Sequence, residues 1–274
     1  MRTLYVSDLD GTLLHSDQTL SSYTCDVICR LAAQGGLFSY ATARSFVTAA
    51  KVTRGLPAQL PLIVYNGTFI VDSTTGERLL TNAFPPEADA VLRDLLSHDV
   101  FPIVYSFRDG KECFCYAEDE AARFPGLKMF LDSRAGDPRA TPVQGAEALF
   151  AGEKFYYTCI DHPEKLRPLY EKYKNEYRCL FQKDVYTDTT WLEIMPSAAS
   201  KSNAALQLKR LLGCDRLVVF GDGLNDADLF RVADECYAVE NAVPQLKAMA
   251  TGVIAGNNED GVAKWLEKTM GGVG

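Results

Sequence analysis

Short apolar runs, each followed by a helix-length stretch, limit what this chain can fold into more than any other feature. Residues 3–7 (TLYVS) are β-rich and unbroken by turn residues; 37–42 (LFSYAT) and 60–67 (LPLIVYNG) repeat the pattern. Between them, Ser21 or Ser22 can cap a helix that runs to about Gln34 and stops at Gly35-Gly36, and a second helix spans about Ser45 to Leu56. Strands alternating with helices predict parallel crossovers and a sheet covered on both faces.

The rhythm then changes. FIVDSTTGERLL (69–80) reads as a hairpin turning around Thr74–Gly76, followed by a helix at 86–98. Strands at 101–107 and 112–117 are joined by Arg108-Asp109-Gly110-Lys111, a hairpin signal, and an irregular stretch runs to about 150. A strand at 154–161, a helix at 163–177 and strands near 178–183 and 191–195 complete this α+β section. Alternation resumes with a helix at about 200–212, the strand DRLVVFGDG (215–223), helices at 225–233, 243–250 and 260–270, and short strands at 236–239 and 252–255. The expectation is an α/β, doubly wound, Rossmann-like parallel sheet split by an inserted α+β domain. Its boundaries are expected at 1–83 (core, first part), 84–190 (insertion) and 191–274 (core, second part).

Ligands of parallel α/β sheets bind beyond the carboxyl ends of the strands. The first strand ends at Asp8-Leu9-Asp10-Gly11-Thr12, the second at Ala41-Thr42-Ala43-Arg44, the third at Asn66-Gly67, and the one after the insertion at Gly221-Asp222-Gly223-Leu224-Asn225-Asp226. Lys201 begins the helix returning from the insertion. Converging carboxylates repel, each pair at about 4 Å costing roughly 4 kcal/mol at an effective dielectric near 20. A hard divalent cation resolves that conflict, and oxygen-only ligands point to Mg²⁺. Glycines beside the acids allow close backbone approach, and helix N-termini there offer N–H groups to an anion. Such a set suits phosphoryl transfer. Asp8 can attack phosphorus and carry the group as an aspartyl phosphate, while Asp10 protonates the leaving oxygen and later activates water. Thr42 and Lys201 can bind the non-bridging oxygens.

Composition removes other classes. A net charge of −8, with no Lys/Arg run longer than two, disfavours nucleic acid. No stretch approaches the roughly 18–20 apolar residues of a membrane span, and Asp8 and Asp10 interrupt the only early apolar segment, which argues against a secretory signal. The eight cysteines form no C-x-x-C pair and read as free thiols, and the three scattered histidines make no zinc site. A cytoplasmic protein, monomer or small homo-oligomer, is expected.

Together D-x-D-G-T, a hydroxyl ending the second strand, a lysine opening a helix and G-D-G-x-N-D resemble the haloacid dehalogenase-like (HAD) hydrolase superfamily. DLDGTLL, ATAR, LEIMPSAASK and FGDGLNDADLF are most similar to its Cof-type phosphatases, which carry a large α/β cap after the third strand. The resemblance implies a core sheet of order 5-4-1-2-3 with a cap closing over the site. It also implies Asp8 as nucleophile and metal ligand, Asp10 as acid/base with its carbonyl on the metal, and Thr42 and Lys201 as the phosphate-binding pair. Asp222 corresponds to a metal ligand, and Asn225 and Asp226 to supporting groups, Asp226 acting through a water. Gly11, Ala43, Arg44, Asn66 and Gly67 fall at positions bordering the phosphate or substrate.

Two departures stand out: Ala43 replaces the usual glycine of Thr-Gly-Arg, where a positive φ would strain alanine, and Ser202 follows Lys201 where glycine is usual. Glu193 reads as structural, and Trp191 and Tyr156-Tyr157 as packing. The implied activity is Mg²⁺-dependent hydrolysis of a small phosphorylated metabolite, sugar phosphates first. The alternatives are a phosphotransferase or sugar phosphomutase using the same aspartyl phosphate, and a non-catalytic phosphometabolite sensor.

Overall fold

A computed structural model describes residues 2–57, 61–121, 123–183 and 189–271; part of the third predicted strand, at residue 60, lies outside them. The chain divides into two compact units, Met1–Asn82 with Ala199–Gly274, and Ala83–Ala198.

The first unit opens with β1 (Thr3–Ser7), α1 (Ser22–Ala33), β2 (Leu37–Tyr40), α2 (Phe46–Val52), β3 (Leu62–Val64), β4 (Phe69–Val71) and β5 (Arg78–Thr81). Ser21 caps α1 by accepting from Thr24 N at 2.9 Å. Thr24, Val27, Ile28 and Leu31 form its buried stripe at helical spacing, so the helix packs by that face. β4 and β5 form the expected hairpin, and β3 pairs antiparallel with β4 to make a three-stranded sheet; Asp72 Oδ1 organises the β4–β5 turn by accepting from Thr74 N and Thr75 N at 2.9 and 2.7 Å.

The second unit contains α3 (Ala88–Ser97), β6 (Ile103–Arg108), β7 (Lys111–Ala117), α4 (Glu118–Ala121), α5 (Pro125–Asp132), β8 (Ala140–Val143), β9 (Glu153–Asp161), α6 (Pro163–Tyr173), β10 (Arg178–Lys183) and β11 (Thr190–Met195). Its sheet runs β10-β11-β9-β6-β7-β8. Asp109 and Gly110, both with positive φ, make the two-residue turn between β6 and β7. One sheet face, with Val104, Cys115, Tyr157 and Leu192, packs on Leu92 and Leu95 of α3 and Leu166 and Leu169 of α6. The other carries Ile103, Phe114 and Ile160 against Leu127 and Phe130 of α5. The stretch expected to be irregular up to residue 150 therefore contains α5 and β8; Pro125 starts that helix and Leu127 and Phe130 bury its one apolar edge.

The expected return to the core at residue 191 moves to Ala199. β11 is paired on both edges inside the second unit's sheet, with β10 and β9, so it belongs there. Glu193 lies on β11 opposite Leu180 and Thr158. Burial pushes its carboxyl up to about 7, outweighing the Tyr156 hydrogen bond. A raised folded pKa means the native state binds this proton more tightly than the unfolded chain. The stability it contributes is thus complete below about 4.5 and is lost as pH rises through 7. Glu193→Gln is expected to match wild type in urea unfolding at pH 4.5 and to exceed it by about 1–3 kcal/mol at pH 8. Equal differences at both pH values would refute this.

The first unit resumes with α7 (Lys201–Leu211), β12 (Arg216–Gly221), α8 (Ala227–Val232), β13 (Glu235–Val239), α9 (Pro244–Lys247), β14 (Gly252–Ile254) and α10 (Gly261–Gly271). Its main sheet runs β14-β13-β12-β1-β2, all pairs parallel, and an Ala41–Ile63 bridge extends it to β3. The order 5-4-1-2-3 is present, with β14 added outside. β1 is central, flanked by β12 and β2, so the residues just past β1 lie between those just past its two neighbours. All eight cysteines are free. Among the described residues no helix is long and apolar enough to cross a membrane.

Candidate active site

Asp8 leaves β1 with its backbone N–H still donating to Phe220 O of β12 at 3.0 Å, which fixes the carboxylate beside the β12 strand end. The chain then closes a tight turn, Leu9–Leu13, in which Gly11 has φ +76°. A Cβ on Gly11 would lie 2.5 Å from Asp222 Oδ2, so only glycine lets the two strand ends approach this closely. Thr12 Oγ1 donates to Asp222 Oδ1 at 3.0 Å, a second tie across the same gap.

Lys201 stands at the first position of α7, whose cap Ser200 accepts from Asn203 N at 3.1 Å. Its buried ammonium donates to Asp8 Oδ1 at 2.5 Å and to Asp226 Oδ1 at 2.7 Å. Asp226 is fully buried, and its other oxygen accepts from the Asp222 and Gly223 N–H groups at 3.2 and 3.3 Å. One oxygen each from Asp8, Asp222 and Asp226 lies within 4.8 Å of the others. Three carboxylates thus share one ammonium. Burial, with Asp226 and Asp222 nearby, holds the Asp8 carboxyl well above the usual carboxylate range despite Lys201. Burial and Asp226 raise Asp222 as well. For Lys201, burial opposes the charge, but Asp226 and Asp8 outweigh it and raise its pKa. An oxygen-only donor set short of positive charge fits a hard divalent cation.

Thr42 is fully buried beyond β2. Its N–H donates to Ile63 O at 3.0 Å, its carbonyl accepts from Asn66 N at 2.9 Å, and its hydroxyl accepts from Arg44 N at 3.1 Å. Ala43 is exposed and is not among the residues of positive φ, so it is not strained; in the separate turn after β3, Tyr65, Asn66 and Gly67 are left-handed. Gly67, at φ +93°, presses on the start of α7, where a Cβ would meet Ser200 O at 2.2 Å. Gly67→Ala is expected to cost about 2–4 kcal/mol in urea unfolding and to displace Lys201; a loss under about 1 kcal/mol would show that this contact yields easily.

The Asp10 carboxylate does not join the cluster. Arg44 clamps it through Nε at 2.8 Å and Nη2 at 2.5 Å and also donates to Gln18 Oε1 at 3.0 Å. Asn225 folds its side chain over Gly223, whose Cβ would lie 2.3 Å from Asn225 Oδ1. One positioning residue escapes the sequence reading: Asn241 donates to Gly11 O at 2.7 Å while its Oδ1 accepts from Asn257 N at 3.0 Å. Asn241 lies just past β13, so the strand-end rule that selects the others could have selected it.

The family described as haloacid dehalogenase-like hydrolase matches residues 5–266. The chain belongs to that family. Among curated HAD relatives, a 5-amino-6-(5-phospho-D-ribitylamino)uracil phosphatase of Bacillus subtilis is 28% identical over 287 residues, covering 97% of each chain. An HMP-PP phosphatase of Klebsiella pneumoniae is 28% identical over 253 residues, covering 90% of this chain and 88% of its own. A Thermotoga maritima crystal structure superposes with a TM-score of 0.79 at 25% identity, covering 98% of this chain and 97% of the other. This HAD protein is an enzyme of the phosphatase class.

Proposed function

We propose that this HAD phosphatase is Mg²⁺-dependent and hydrolyses small phosphorylated metabolites, sugar phosphates foremost, through an aspartyl phosphate on Asp8. The observation that carries the reading is the Lys201 ammonium bridging Asp8 and Asp226 inside a three-carboxylate cluster. Asp8 Oδ2, the oxygen not engaged by Lys201, attacks phosphorus. Lys201, with the Thr42 hydroxyl, takes up charge on the non-bridging oxygens as the bond to the leaving group breaks. Asp10, once turned out of the Arg44 clamp and protonated, gives its proton to the departing alkoxide and then removes one from the water that attacks the phosphoaspartate. Asp8, the Asp10 carbonyl and Asp222 would hold Mg²⁺, with Asp226 supporting through a water. Both Asp226 oxygens already accept hydrogen bonds from Lys201 and backbone N–H groups, which suits the outer role. Bound Mg²⁺ would supply the positive charge that the cluster lacks.

Preference for sugar phosphates draws support from the B. subtilis relative, whose named substrate carries a phosphoribityl group. The test is phosphate release from a panel of phosphorylated metabolites with Mg²⁺, with EDTA and in Asp8→Asn. Turnover that needs both Mg²⁺ and Asp8, highest on sugar phosphates, is expected. EDTA-resistant turnover would overturn the metal, and a preference for nucleotides would overturn the substrate class.

A further inference from the structure

Away from the strand-end site, the first unit contains a cavity of about 150 Å³ between α1, α2 and β2, with Ile28, Phe38, Phe46, Ala50 and Leu62 on one part of its wall and Ser39 and Arg54 on another. Tyr40, also in the lining, is 2% exposed, and its hydroxyl finds no partner of hydrogen-bonding geometry among the described residues. The Thr53 hydroxyl is the lining side chain that bears on Tyr40, but it gives its proton to Ala49 O at 2.9 Å and so has none to donate to the phenol oxygen. A buried hydroxyl without a partner costs about 1–3 kcal/mol, so it marks a place where a polar group is missing. A cavity of about this volume has room for a benzene-sized molecule.

We propose that this cavity is a second ligand site, taking a single six-membered aromatic ring with one hydrogen-bonding substituent, of the phenol class. The apolar part of the wall takes the ring, and the substituent completes the Tyr40 hydroxyl. The site is independent of the phosphate chemistry, although Tyr40 and Phe46 flank the Thr42–Arg44 segment in sequence.

The test is fluorine NMR of 4-fluorophenol and fluorobenzene titrated with the whole protein. Saturable binding of both is expected, with fluorophenol the tighter. Tyr40→Phe should weaken fluorophenol about five- to tenfold, the worth of one hydrogen bond, and leave fluorobenzene unchanged. Ala50→Leu, which fills the cavity, should abolish both while circular dichroism and thermal unfolding remain those of a folded protein. If wild type binds neither ring, the cavity holds only water and the proposal fails. It fails equally if Tyr40→Phe weakens both rings alike, or if folded Ala50→Leu still binds them.

Discussion

Asp8→Asn is expected to lower kcat by about 10⁴- to 10⁶-fold, the scale on which enzymes lose a covalent nucleophile. The amide has nearly the shape of the carboxylate, so the backbone bond to Phe220 and the contact with Lys201 survive in altered form. What disappears is the anionic oxygen that would attack phosphorus. The variant also removes one of three carboxylates sharing a single ammonium, so its melting temperature in EDTA should equal or exceed that of wild type. Steady-state kinetics and an acid-quench search for protein-bound phosphate check the two halves. Activity within tenfold of wild type would place the nucleophile elsewhere.

Lys201→Met removes the ammonium that contacts both Asp8 and Asp226. Breaking a buried ion pair from one side costs about 3–5 kcal/mol, because the remaining charges are left uncompensated. In the proposed mechanism that charge would face the transferring phosphoryl group, and its loss should cost kcat a further 10²- to 10³-fold, roughly. The thermodynamic part can be isolated. Mg²⁺ should raise the melting temperature of the variant more than that of wild type, since it supplies the missing charge. Adding Asp8→Asn should also recover part of the loss, because it removes one of the uncompensated acids. Unchanged stability in EDTA would show that the ammonium does not hold these carboxylates together.

Much of the site is legible in the sequence because its parts are local strings at strand ends. Asp8, Thr42 and Asp222 each stand just past a parallel strand, and Lys201 opens a helix; topology alone brings such positions together. What escapes depends on contacts between distant segments. The Arg44 clamp on Asp10 and the Asn241 hydrogen bond to Gly11 leave no spacing signature. The shift of the return boundary to Ala199 reflects pairing: the strand 190–195 reads the same from its own residues whichever sheet it joins. Helix α5 is hidden by its length, eight residues with three buried positions, too short for a periodic signal. Ala43 reads as a source of strain in the sequence, but its φ is not positive, so the turn after β2 asks nothing of it that only glycine could give.

The split of the first unit also sets an order of events during synthesis. As the chain leaves the ribosome, β1 and β2 emerge early, but the strand that covers the other edge of β1 is made only after the whole second unit. Until Arg216–Gly221 arrives, the nascent chain carries Asp8 on an apolar strand with one unpaired edge, a template for wrong pairing. The inserted unit, by contrast, is contiguous and has all its strand partners within itself. It can therefore fold while the first unit waits, and the sheet edge beside Asp8 is closed only afterwards.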